Sequence, residues 1–446
     1  MMRCKKIIMA FVVLFLCLVT GNVANAATVK LDETNFPDQA LRKALERYVD
    51  SDGNIETDKI KYFFVSSDMG AVKDLKGMEL LTEMTGCSLF LYEGTSVTLA
   101  NPKLQEFSIY DTTQETMDIQ LSTAKKLNFC SSDTKTLSIT GPELTEVSLN
   151  GGAITTINGL NQLSKMTTFG LIESNLTSFD VGVMPQVEKL TISSSKVQTL
   201  KNLDQLKNLK ELTVAYNKLK KLDLTANTKL TSVNCNDNQL TSLKLPKSIK
   251  KVYAAENKLT SLDLKKCPNL QYLHIYDNKL KKIDLKKCTK LSVVELNGNK
   301  NLSSVNVTKN KKLASLNVGC TSIKSLNVNK NTKLTALQCY KTKISSLNIK
   351  KNKKLSYISF YGSKIKKLDL SGYKTMTIDY ELKRGKSINL KNYLGTGYTL
   401  DYVSEELSYN KSSNTIKLST KAKKNYMYYA TLTKNSKTYY ITIIAQ

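Results

Sequence analysis

The chain of 446 residues contains one histidine, His274, and it stands between Tyr272 and Tyr276. No serine or cysteine occurs at a spacing that would pair it with this imidazole as a nucleophile, and the aspartates and lysines recur in columns rather than in one convergent set. General acid–base or nucleophilic catalysis needs such a set, so the chain is not expected to be an enzyme. Nine cysteines give neither a CxxC pair nor a cysteine and histidine spacing that would ligate a metal, and no cofactor is expected. The chemistry these residues can do is non-covalent recognition. Tyr253, Tyr272 and Tyr276 gather around His274, and Tyr340, Tyr357 and Tyr361 form a second aromatic group. Asp237, Glu256 and Asp277 follow one column beside the first group, with Glu295 in the neighbouring strand. Rings with few rotamers are common contact anchors, and carboxylates around them would select a basic or amide-rich surface.

These groupings depend on a repeat. Leu209, Leu212, Val214, Asn217 and Leu219 spell LxxLxLxxNxL, and the spelling returns at Leu230 to Leu240 and at Leu270 to Leu280. Taking the middle apolar position as the mark, the series runs from Met84, Phe107 and Leu127 through Leu212, Leu273 and Leu316 to Ile358, about fourteen coils of 19–23 residues. A period in this range predicts a β-rich leucine-rich repeat solenoid, whose coils bury their apolar edges only by stacking. Each regular coil holds two short alternating pieces, such as Leu212-x-Val214 with Leu222-x-Leu224, so extended chain is expected on both faces. Asn217, Asn238, Asn257, Asn278 and Asn299 predict a ladder that satisfies turn backbone. A second column reads Asn227, Cys267, Cys288, Asn310, Asn331 and Asn352, where parallel inward side chains favour free thiols over a Cys267–Cys288 disulfide.

The ends and the charge set the context. Residues 1–26 combine Arg3, Lys5 and Lys6 with an apolar run from Ile7 to Val19 and the small residues Ala24 and Ala26, the pattern of a secretory signal peptide. No second apolar stretch is long enough for a transmembrane segment. Residues 27–77 form an N-terminal cap, with FPDQALRKALERYV at helical spacing. There DSDGNIETD resembles a calcium loop but has Tyr48 and Lys59 where two strong ligands belong, so an acidic turn is expected and no metal. The repeats occupy 78–380. Residues 381–446 lose the leucines for short tyrosine-rich alternating pieces, which predict a small all-β sandwich, read mainly as a cap and spacer. The formal charge is +28, nearly all lysine. Lysine is poorly suited to bidentate base or phosphate reading, which argues against nucleic acid as a partner. The pairs Lys265/Lys266, Lys281/Lys282, Lys286/Lys287 and Lys366/Lys367 predict a basic stripe on the second face, away from the aromatic columns.

The chain resembles the secreted leucine-rich repeat proteins of Gram-positive bacteria, including the internalins of Listeria and related proteins of gut clostridia. NFPDQALRKAL resembles their N-terminal helical cap, VKDLKGMELLTEM their lead-in, and ENKLTSLDLKKCPNLQYLHIYDNKLKKIDLKKCTKL their 21-residue repeats, with Cys267 and Cys288 standing where such repeats alternate Asn and Cys. The closing β segment is similar to their immunoglobulin-like module. The resemblance implies a secreted or surface-associated protein that recognises a host or bacterial surface protein, and a monomer is expected. The aromatic columns put that contact on a concave face. The alternative is an envelope-associated structural protein held on anionic wall polymer by its lysines. No LPxTG-type sorting signal is present.

Overall fold

A coil begins with three residues that alternate out, in, out. In Glu211–Thr213 the middle leucine is buried while its neighbours face solvent. So short a strand cannot bury its apolar side alone, and it finds a parallel neighbour in Ser232–Asn234 with Leu212 opposite Val233. In the computed structural model, which describes residues 28–446, this pairing repeats from Tyr62–Val65 to Thr375–Leu382. Sixteen parallel strands result. At about 4.8 Å per strand they form a body roughly 70 Å long. The expected signal peptide lies outside the described residues. No helix among the described residues is long and apolar enough to cross a membrane.

The structure corrects the first mark of the repeat. Cys87, not Met84, pairs with Phe107 in the apolar column, and Phe63 precedes it. Met84 instead fills the buried position before the strand, as Leu104 does in the next coil. The irregular leucine pattern of the early coils hid this offset. At the far end Ile378 continues the column beyond Ile358.

The second face is extended in only part of the chain. Ser96–Leu99, Thr116–Leu121, Thr136–Thr140 and Thr156–Asn158 form a parallel sheet, and two further pairs follow, the last joining Lys221–Asp223 to Ser242–Lys244. From Leu262 onward the inward residues remain buried or, at Ile283, Val305 and Leu347, partly buried, but no strand ladder forms. Here Asp263, Asp284, Asn306, Asn327, Asn348 and Asp369 each accept the N–H two residues ahead. The same turn closes the paired strands at Asp180 and Asp223, so it is a feature of the repeat on this face whether or not a ladder forms.

The N-terminal helix Gln39–Leu45 packs against the strand Tyr62–Val65 and buries Leu41 and Leu45. Asp38 caps it by accepting from Leu41 N, and its other oxygen accepts from Lys73 N at 2.7 Å, tying helix to lead-in. In the acidic turn, Asp50 Oδ1 accepts from both Asp52 N and Asn54 N. That carboxylate serves its own loop.

The C-terminal strands do not stand apart from the repeats. Thr375–Leu382 pairs in parallel with Lys437–Ala445, which pairs antiparallel with Met427–Lys434, and that with Thr399–Val403. One sheet therefore runs from Tyr62–Val65 through the solenoid to Thr399–Val403, and none of its strand pairings among the described residues joins those two strands. A separate three-stranded sheet of Ser387–Asn389, Thr415–Leu418 and Leu407–Asn410 lies beside it.

The two turn columns work differently. In the first, Asn278 Nδ2 donates to Ala254 O of the preceding coil at 2.9 Å, and its Oδ1 accepts from Leu259 N at 3.0 Å. Asn217, Asn238, Asn257 and Asn299 repeat this two-way bridge. Thr321 and Thr342, which continue the column, donate only within their own coil. In the second column Asn310, Asn331 and Asn352 donate Nδ2 to two carbonyls each, while their buried Oδ1 atoms have no partner. Only donation is used there, and a thiol can donate weakly. Cys267 and Cys288 are free thiols aimed at Pro246 O and Leu264 O. Burial raises the Cys288 thiol to about 12 and keeps it protonated for that role. Asn278→Cys should therefore lower stability by about 2 kcal/mol or more, since Leu259 N–H loses its acceptor. Asn331→Cys should cost clearly less. Urea midpoints of the two variants, compared with the parent, measure the difference.

Candidate functional site

Parallel register converts outward strand positions into columns 4.8 Å apart per step. Tyr253, His274 and Glu295 are direct register partners on three successive strands. The Tyr253 and His274 rings lie 4.9 Å apart, and His274 Nδ1 is 2.7 Å from Glu295 Oε2. A carboxylate only accepts, so this contact puts the proton on Nδ1 and fixes the imidazole orientation. Tyr272 lies in the adjacent column with the Lys251 ammonium 5.7 Å from its ring centre. The ring, imidazole and carboxylate expected to cluster do so, each half-buried and held by a strand.

Asp237, Glu256 and Asp277 sit where the chain leaves successive strands, and all three have left-handed backbone, with φ of 53°, 54° and 49°. That conformation is uncommon for a residue with a side chain. Their backbone N–H groups donate to the next coil at Ala255 O, Tyr276 O and Asn297 O, so they rise as a column one rung apart. Such proximity shows in the charge. Asp237 pushes the Glu256 carboxyl above its usual range, helped by desolvation and by Asp277. Tyr276 is raised by desolvation and then by the same acids, which places its hydroxyl among them. One coil farther, the left-handed position is Gly298, and a Cβ there would lie 1.8 Å from Asp277 Oδ1. The missing side chain leaves room for the last carboxylate.

The second aromatic group assembles differently from the first. Tyr340 and Tyr361 stack at 5.0 Å, with Tyr340 lying over Gly319, whose Cβ would come within 2.4 Å of the ring. Lys341 bridges Tyr361 and Glu381, the latter at 2.8 Å. Tyr357 instead donates its hydroxyl to Asp379 on the next strand. The coils of Val293–Glu295 and Ser315–Asn317 separate the two groups.

The same face holds a feature the sequence reading missed. A depression of about 400 Å³ opens among Tyr110, Asn128, Ser148, Gly170 and Ile172. Gly170 removes a side chain from a column that otherwise carries Ser108, Asn128, Ser148 and Thr191, and Ile172 is left exposed beside it. Extending the column reading into the irregular coils would have revealed the gap. The eight paired lysines of the second face are all exposed.

No family model matches the chain, and no curated protein matches its sequence. Among solved structures, the functional domain of InlJ from Listeria monocytogenes, which includes a cysteine ladder, is similar over 94% of this chain and 99% of its own, at 19% identity and a TM-score of 0.51. A leucine-rich repeat protein of Leptospira interrogans covers 69% of this chain and 86% of its own at 18% identity, with a TM-score of 0.56. YopM from Yersinia enterocolitica covers 77% and 81% at 17% identity, with a TM-score of 0.50. At these identities the likeness is one of fold. The chain folds as a leucine-rich repeat solenoid, internalin-like in architecture.

Proposed function

We propose that this protein is an extracellular recognition module that binds a protein partner through the middle of its long sheet, centred on Tyr272, His274 and Tyr276. The observation that carries this reading is the acid column. Three carboxylates are held one rung apart in left-handed backbone, and Asp237 and Asp277 on either side raise the ionisation cost of Glu256 between them. A basic or amide-rich surface laid across them would relieve that repulsion. The rings beside them stand on strands, so little ordering entropy is lost on contact. A partner on the surface of a host or neighbouring cell fits this chemistry and the expected export. The Tyr340, Tyr357 and Tyr361 group would widen the contact.

Two measurements test the site. Tyr272→Ala and Tyr276→Ala should each weaken the partner recovered by pull-down with the mature chain by about 2 kcal/mol, roughly thirtyfold in Kd. Lys286→Ala, on the other face and paired with Asp284, should change it little. Unchanged Kd in both tyrosine variants, with folding intact, removes the assignment. The acid column also predicts a pH dependence. The folded-state pKa of Glu256 is raised, so its ionisation costs stability as pH climbs from the usual carboxylate range through the raised value. Glu256→Gln should raise the thermal midpoint at neutral pH, and the gain should vanish in acid, where Glu256 is protonated in both states.

A second reading rests on the lysines. The exposed pairs on the second face, Lys265/Lys266 through Lys366/Lys367, support retention on an anionic wall polymer. Mature protein should then sediment with isolated cell walls at low salt and be released at high salt; sedimentation that ignores salt, or none, removes this reading.

A further inference from the structure

The solvent face of the long sheet continues past the last coil, and its register there is unusual. Tyr357 is opposite Thr377, Thr377 opposite Tyr440, Tyr440 opposite Thr431, and Thr431 opposite Tyr402. One row across five strands therefore reads tyrosine, threonine, tyrosine, threonine, tyrosine. Tyr402 and Tyr440 are 55% and 46% exposed, although a tyrosine on a half-buried sheet ordinarily packs against its neighbours. Tyr357 is held by its hydroxyl bond to Asp379.

The position of Tyr402 is made by an irregularity. Leu400 pairs with Leu432 and Tyr402 with Thr431, so Asp401 is an extra residue in the strand. Regular alternation from the buried-side Leu400 would place residue 402 on the inner side as well. The bulge turns it outward into line with Tyr440, and Asp401 Oδ1 accepts from Thr433 Oγ1 at 2.9 Å. Bulges that re-aim a side chain are placed features rather than defects.

Every second strand carries a ring, so the rings repeat at about 10 Å, twice the interstrand distance. That is close to the length of one disaccharide in a β-1,4-linked hexopyranose chain, in which every second sugar turns the same face to one side. We propose that this row is a glycan-binding site for an uncharged β-1,4-linked polysaccharide, with alternate sugar rings stacked on Tyr402, Tyr440 and Tyr357. The electrostatics select that occupant over an anionic polymer. The row contains no cation, and the carboxylates of Asp379 and Asp401 border it with lone pairs left to accept sugar hydroxyls. The ammonium groups nearby are engaged elsewhere: Lys434 donates to Thr396 O, Lys437 to Ser371 O, and Lys341 pairs with Glu381. Aliphatic side chains, which an apolar protein partner would want, are absent from the row. Sheet twist turns successive strands, so the site suits a single flexible chain better than a flat crystalline surface.

The full mature chain titrated calorimetrically with cellohexaose and chitohexaose provides the test. At least one hexasaccharide should bind, and bind more tightly than its disaccharide, because only the longer chain reaches all three rings. Tyr440→Ala should weaken it about tenfold and flatten the length dependence. Tyr402→Ala, at the outermost strand, serves as the second variant if the first shifts the thermal midpoint. Absence of binding by both hexasaccharides, equal binding of the α-linked maltohexaose, or affinity unchanged in folded Tyr440→Ala and Tyr402→Ala would overturn the proposal.

Discussion

A chain that turns back on itself twice in every coil must bury backbone groups at both turns, where no water reaches them. An unpaired buried N–H or carbonyl costs about 1–3 kcal/mol, so a stack of such turns is unstable unless each group has a partner. The asparagine columns are that partner set. Asn217 through Asn299 reach one coil back with both ends of the amide, which joins each coil to its predecessor by more than strand pairing. Strand pairing sets the rung spacing that places outward side chains in columns, and the asparagines reinforce it through the middle coils.

Function follows from the columns. Because residues at the same repeat position stand one rung apart, the sequence can build a surface by changing one column and leaving the core untouched. The rung that holds Asn238, Asn257 and Asn278 in place also brings Asp237, Glu256 and Asp277 together one residue before each of them. The flanking aspartates make Glu256 harder to ionise, a cost set by the rung spacing. His274, the one histidine, is oriented by Glu295 one strand away and covered on its other side by Tyr253. These features are what the proposed contact surface would use, held in place by strands before any partner arrives.

The ends of the stack are handled unequally. At the start, a capped helix lies on the first strand and hides its apolar side, as Leu41 and Leu45 show. At the finish, the long sheet turns antiparallel and carries on through Met427–Lys434 to Thr399–Val403. The inner side of that extension is closed by Tyr439, Ile441 and Ile443, while its outer side remains part of the same solvent face as the coils. The surface available for recognition is thereby longer than the repeats.

The repeat spelling alone determined the solenoid, the inward leucines, the ladder asparagines and the outward columns, because parallel in-register stacking maps sequence position directly onto space. The same mapping makes Tyr253, His274 and Glu295 neighbours. What it could not give were facts that break the period. The offset of the first coils, where Cys87 rather than Met84 takes the core position, needed the strand register. So did the loss of second-face strands after Ser242–Lys244, since apolar spacing records which residues point inward and not whether neighbouring coils pair their backbones. The left-handed backbone at Glu256, the hollow at Gly170 and the bulge at Asp401 depend on how neighbouring coils meet. Antiparallel pairing between segments distant in the chain is likewise set by packing, so only the tertiary structure put Tyr440 and Tyr402 in the row that begins at Tyr357.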